Sequence, residues 1–185
     1  LGMKIYLDMC NVQRPLDTKT HVRVAMEAEA ILSILALCAS GYATLLASDA
    51  LVFETEQHPH PTRKQYAFGV LAMATEFVLT ESHIEARARA FHAAGIKPLD
   101  ALHLASAVAA QAEYLCTCDD RFLRRAQAID THPTQVVSPL ALVAYSGRRL
   151  PLIPIESCHR FRRKTATDSG RRLPLIPIES CHRFR

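Results

Sequence analysis

The sequence predicts an α/β fold, a three-layer α/β/α sandwich around a central parallel sheet of four to five strands. Three observations lead there. Short β-prone runs alternate with longer amphipathic stretches, and most of those stretches stop at a Gly or Pro signal. Strands separated by helices must also pair in parallel through right-handed crossovers, which covers the sheet on both faces.

Taken in order, "KIYLD" (4–8) reads as a first buried strand, and "HVRVAMEAEAILSILALCAS" (21–40) as a long amphipathic helix closed by Gly41. "YATLLAS" (42–48) is a second strand. Ser48 or Asp49 caps a helix through "ALVFETEQ" (50–57), which the prolines of "HPHP" end. "TRKQYAFGVLAMA" (62–74) forms another helix, "EFVLT" (76–80) a short third strand, and "ESHIEARARAFHAAG" (81–95) a helix stopped by Gly95. Pro98 opens "PLDALHLASAVAAQA" (98–112), a position that suits its fixed φ and missing N–H. "YLCTC" (114–118) is a buried strand, "DDRFLRRAQAI" (119–129) a helix, and "QVVS" (135–138) a last strand before a closing helix. "LDMCNVQRP" (7–15), between the first strand and the long helix, reads as a loop. Leu1 and Gly2, which precede Met3, are left out of the elements.

At 185 residues, 49% hydrophobic and 22% charged, the chain is large enough for one globular domain with an accessory segment. The apolar runs are broken by Ser, Gly and Tyr before reaching the length of a membrane span, and no secretory signal is visible. A soluble cytoplasmic protein without a membrane partner is expected. Six cysteines, two of them in a duplicated tail, do not form a compact disulfide framework, so reduced thiols are the expectation.

The net charge of +4 conceals an asymmetry. Residues 1–145 hold twelve Lys/Arg against fifteen Asp/Glu, whereas residues 146–185 hold ten against three. A basic total would point to nucleic acid, but here its sign comes from the tail alone. In that tail "SGRRLPLIPIESCHRFR" occurs at 146–162 and again, without a difference, at 169–185. Each copy carries two prolines, clustered arginines and no helical periodicity. The division expected is a domain at 1–145 and a disordered or loosely docked tail at 146–185, in preference to an arm that grips phosphates.

In an open parallel sheet, groups at the carboxyl ends of the strands face one crevice, where ligands bind. Asp8 ends the first strand, and Asp119 and Asp120 follow the fourth. Asp100 lies in the first turn of its helix, and Glu54 on the helix after the second strand. Acids gathered at one edge repel each other unless a divalent cation neutralises them. Oxygen-only ligands favour Mg²⁺ or Mn²⁺, ions suited to activating water for phosphodiester cleavage.

With those residues in order, the chain resembles the PIN-domain family of metal-dependent ribonucleases, which includes the VapC-type toxins. The matching segments are "IYLD" with Asp8, "ASDALVFE" with Glu54, "IKPLDALHLASA" with Asp100 and "LCTCDDRF" with Asp119, and they span about residues 3–142. The resemblance implies an endoribonuclease with Asp8, Glu54, Asp100 and Asp119 at its acidic site. Asp8, Asp100 and Asp119 would be the ligands of Mg²⁺ or Mn²⁺. It implies Thr117 as an auxiliary hydroxyl, and RNA as substrate, with a cognate antitoxin and a homodimer among the partners. Asp120 reads as an auxiliary ligand or as a solvated residue at a helix N-terminus. Arg14 is the candidate contact to substrate phosphate, with a surface role as the alternative. Many family members carry Asn two residues after the first Asp; here that residue is Cys10 and the amide follows as Asn11, so Asn11 is not carried over.

Other readings compete. Asp8 alone would serve as a turn cap, Asp100 as a dipole partner, and Glu56 competes with Glu54. His103 reads as a packed helical histidine, and Cys116 and Cys118 as buried packing residues. His58 and His60 lack a second ligand pair at zinc spacing. A phosphoacceptor receiver would need an acidic pair at the first strand and a late lysine, which are absent from the sequence. The remaining alternative is a catalytically silent PIN-like module that binds RNA or protein.

Overall fold

The computed structural model describes residues 2–149. Its five strands form one parallel sheet: β1 (Met3–Leu7), β2 (Ala43–Ser48), β3 (Glu76–Val78), β4 (Tyr114–Cys116) and β5 (Gln135–Val137), in the order β3-β2-β1-β4-β5. Around it stand α1 (Met9–Gln13), α2 (Val22–Ala39), α3 (Asp49–Gln57), α4 (Pro61–Leu71), α5 (Ser82–Ala93), α6 (Pro98–Ala109), α7 (Asp120–Gln127) and α8 (Pro139–Arg149), with a 3₁₀ turn at Arg14–Leu16. This is the predicted α/β/α sandwich. The inner strands are buried with hardly a break, as strands covered on both faces must be: Ile5, Tyr6, Leu7, Leu45, Leu46 and Leu115 are all within a few per cent of full burial. Ile31, Ile34 and Leu35 of α2, Leu51 of α3 and Leu104 of α6 complete the core.

The chain builds outward from β1 to β3 on one side and then returns to place β4 on the other. The strand order therefore reverses between β1 and β4, and a crevice opens at the carboxyl ends of these two strands. Leu7 pairs with Cys116, and the N–H of Asp8 donates to the carbonyl of Cys116 at 3.2 Å. That bond ties the residue after β1 to the end of β4.

The helix stops at Gly41 and Gly95 are as expected. Both glycines have positive φ, +76° and +96°, and each sits in a paired 6→1 and 5→2 closure: Tyr42 to Leu37 with Gly41 to Cys38, and Ile96 to Phe91 with Gly95 to His92. The same closure ends α6 at Gln111, φ +54°, where no glycine announced it.

Other boundaries shift by local chemistry. Ser48 rather than Asp49 caps α3, its hydroxyl accepting from the N–H of Leu51 at 3.2 Å. Helix α4 begins at Pro61 itself, the first-turn position that proline favours. Asp119 is the cap of α7 rather than its first residue. The segment read as a loop after β1 contains α1, whose single turn is too short to show periodicity. Helix α8 runs to Arg149 and so takes in the first four residues of the first tail copy. The expectation for the rest of the tail lies outside the described residues. Among the described residues no helix is long and apolar enough to cross a membrane.

Candidate functional site

Asp8 leaves β1 as the cap of α1 and is 5% exposed. Its Oδ1 accepts from the N–H of Asn11 at 3.1 Å and from the Cys10 thiol at 2.9 Å. Burial pushes the Asp8 carboxyl above its ordinary value, and hydrogen bonds from Cys10, Thr117 and Asn11 offset part of that rise. Cys10 is itself held as a thiol by its contact with Cys118, by burial and by the charge of Asp8, which raise its pKa. It therefore donates to Asp8 as a neutral thiol. Asn11 is fully buried and turned away, its Oδ1 accepting from the Cys118 thiol at 2.6 Å.

Glu54 enters from α3, and one of its carboxylate oxygens lies 2.9 Å from Nε2 of His103. His103 is 2% exposed and its Nδ1 lies 2.8 Å from the Tyr6 hydroxyl, which in turn lies 2.6 Å from Oγ of Ser48. The sequence reading was right that His103 is packed, but missed that it is bonded to an acid of the site. The signal was present: His103 follows Asp100 by three residues, so both project from one side of α6.

Asp100 and Asp119 form the outer part. Burial raises the Asp100 carboxyl, Lys97 lowers it, and the charges of Asp119 and Glu54 push it further up; the net shift is upward. Asp119 Oδ1 accepts from the N–H groups of Arg121 at 2.8 Å and Phe122 at 3.0 Å. Burial pushes this carboxyl up, but those N–H groups and Lys97 outweigh it and hold Asp119 below its ordinary value. The Lys97 ammonium lies 3.1 Å from Asp119 and 3.9 Å from Asp100. Thr117, 1% exposed, accepts the N–H of Asp119 at 3.0 Å and donates to Asp8. It thus joins the ends of β1 and β4. These contacts link Asp8, Thr117, Asp119 and Asp100 near the carboxyl ends of β1 and β4, and the charge of Glu54 reaches Asp100 from α3.

Arg14 and Asp120 belong to a different system. Arg63 pairs with Asp17 at 2.9 Å, Asp17 with Arg14 at 3.0 Å, Arg14 with Glu27 at 3.0 Å, Glu27 with Arg23 at 2.7 Å, and Arg23 with Asp120 at 2.6 Å. This alternating chain ties α4, the 3₁₀ turn, α2 and α7 together. Within it Arg14 is engaged by two carboxylates and by Cys118, and Asp120 is the exposed last link.

The donor set suits a hard divalent cation, being all oxygen and, at Asp8 and Asp100, carrying carboxyls whose ionised form is disfavoured by burial. Among the described residues no three acid, histidine or cysteine side chains already stand in ligand geometry. Asp119 is bound instead to its own helix N-terminus and to Lys97.

No curated protein matches the sequence. Among solved structures, VapBC2 from Rickettsia felis bound to a DNA fragment from its promoter is similar at 14% identity and TM-score 0.48, over 74% of this chain and 98% of that one. PAE2754 from Pyrobaculum aerophilum is similar at 10% identity and TM-score 0.45, over 80% of this chain and all of that one. The PIN domain family model matches residues 14–128, more than half of the chain, a span that includes Glu54, Asp100 and Asp119 and begins after Asp8. The chain belongs to the PIN-domain family.

Proposed function

We propose that this protein is a metal-dependent endoribonuclease working at the crevice between β1 and β4. The observation that carries the reading is charge left unbalanced. Four carboxylates, Asp8, Glu54, Asp100 and Asp119, share one crevice, and among the described residues no Lys or Arg pairs with Asp8 or Glu54. Asp8, Asp100 and Asp119 are the residues that would hold Mg²⁺ or Mn²⁺. Bound there, the ion would activate water and stabilise the charge that develops on the phosphodiester.

The chain's own groups have definite tasks. Cys10, Thr117 and the N–H of Asn11 fix the Asp8 carboxylate. The first turn of α7 fixes Asp119. Lys97 and the nearby charge of Arg121 place positive charge at the exposed rim, where substrate phosphates approach. Arg14 is left out of this set, because its guanidinium is already engaged.

Cleavage of single-stranded and structured RNA oligonucleotides with Mn²⁺ or Mg²⁺ tests the reading. Cutting should stop with EDTA and fall at least a hundredfold in Asp8→Asn and Asp100→Asn. Undiminished cutting in EDTA, or a covalent protein–RNA adduct, would refute it. The finer reading, a toxin restrained by a cognate antitoxin, rests on the sequence resemblance. It predicts growth arrest on expression, relieved by co-expressing a small neighbouring gene.

A further inference from the structure

The buried line Ser48–Tyr6–His103–Glu54 joins β2, β1, α6 and α3 through contacts of 2.6, 2.8 and 2.9 Å. Ser48, Tyr6 and His103 are each at most 2% exposed, so water cannot stand in for a missing partner. The donor and acceptor inventory then limits how the protons are arranged. Ser48 Oγ already accepts from the N–H of Leu51, and Glu54, when ionised, only accepts. With a neutral imidazole one arrangement satisfies every contact: Ser48 donates to Tyr6, Tyr6 donates to Nδ1 of His103, and the Nε2–H of His103 donates to Glu54. The reverse direction puts a proton on Nδ1 and turns a bare Nε2 lone pair towards a carboxylate. It needs an extra proton on the imidazole or on Glu54.

We propose that His103 is a positioning residue for Glu54, locked by Tyr6 and Ser48 in the Nε2–H tautomer, so that one carboxylate oxygen is fixed and the other is left for the site. The consequence for cleavage rests on the nuclease reading above; the proton arrangement does not. The line also explains a polar side chain in the central strand: Tyr6 is fully buried, and its hydroxyl serves His103.

Two measurements test this. ¹⁵N spectra of the imidazoles at pH 8, assigned through His103→Gln, should show His103 as the neutral Nε2–H tautomer in the wild type. In Tyr6→Phe, which removes the donor to Nδ1, that preference should weaken. An Nδ1–H tautomer or a doubly protonated ring in the wild type would overturn the proposal. Kinetically, His103→Leu should lower kcat at least tenfold with KM changed less than twofold, and His103→Gln, whose amide N–H can reach Glu54, should recover most of it. A folded His103→Leu with wild-type kcat would also overturn it. If the wild-type protein cuts no RNA under any metal condition, the nuclease reading fails while the tautomer still decides for or against the line.

Discussion

Two charged systems lie within this domain, and they are built on opposite plans. The chain Arg63–Asp17–Arg14–Glu27–Arg23–Asp120 alternates sign at every step and sums to zero. The crevice at β1 and β4 collects four carboxylates and offers them Lys97 and a histidine. The most buried acid of each system makes the contrast plain. Glu27, its side chain 3% exposed, lies between two guanidinium groups; Asp8, 5% exposed, is held by a thiol, a hydroxyl and a backbone N–H. The fold can neutralise a buried carboxylate where it needs to, and at the crevice it leaves the charge open. Such an arrangement is costly unless something outside the chain neutralises it.

The contrast is sharpest when the two buried acids are removed in turn. Glu27→Ala leaves Arg14 and Arg23 without their shared partner and should destabilise the protein by about 3 kcal/mol. Urea unfolding of the metal-free protein reads this directly. Asp8→Asn should act in the other direction. Asn keeps the cap of α1 and removes an ionised group that burial disfavours, so stability should rise. A loss of stability in Asp8→Asn comparable to that in Glu27→Ala would erase the distinction.

Proton linkage offers a second way to separate them. Asp8 and Asp100 have folded values raised above the unfolded one, so their ionised forms weaken the fold. In metal-free buffer, stability should rise as pH falls through those raised values towards the unfolded value of about 3.9. Asp119 and Asp120 are shifted the other way, and their stabilisation is present above the unfolded value of about 3.9 and lost as pH falls through their lowered folded values. The pH profile of the urea midpoint should therefore show a maximum on the acidic side of neutrality. In the double variant Asp8→Asn, Asp100→Asn the rise towards it should disappear while the fall at low pH remains.

Much of the crevice could be read from the sequence because the acids that carry it are adjacent to strong local signals. Asp8 and Asp119 directly follow β-prone runs, and Asp100 follows a proline that opens a helix. What could not be read is who partners whom across the chain. Arg23 meets Asp120 over 97 residues of sequence, and Tyr6 meets His103 over the same separation. No local pattern encodes such pairings; the strand order creates them by bringing β1 between β2 and β4. Arg14 shows the cost of that blindness. In a loop it reads as a phosphate contact, and only the packing of α2 against the 3₁₀ turn reveals Glu27 beside it. Helix α1 escaped for a different reason, since five residues held by the Asp8 cap carry no repeat to detect.

The smallest effect concerns Lys97, the cation nearest the open cluster. Its pair with Asp119 is exposed, so Lys97→Met should cost at most about 0.5 kcal/mol without metal. The same change removes a competing positive charge and should tighten Mn²⁺ binding roughly threefold, about 0.7 kcal/mol by the usual conversion. Calorimetric titration of the two proteins checks it, and weaker binding in Lys97→Met would show that the lysine supports the ion instead.

The claim that the crevice is open to an outside cation is tested most directly by melting the protein against Mn²⁺. At free Mn²⁺ a hundredfold above its dissociation constant, binding to the folded state adds about 2.7 kcal/mol, which for a domain of this size raises Tm by roughly 5–10 °C. The wild type and Glu27→Gln should both show this rise, while Asp8→Asn and Asp100→Asn should lose it. A rise that survives in both aspartate variants, or that vanishes in Glu27→Gln while they keep it, would contradict the account.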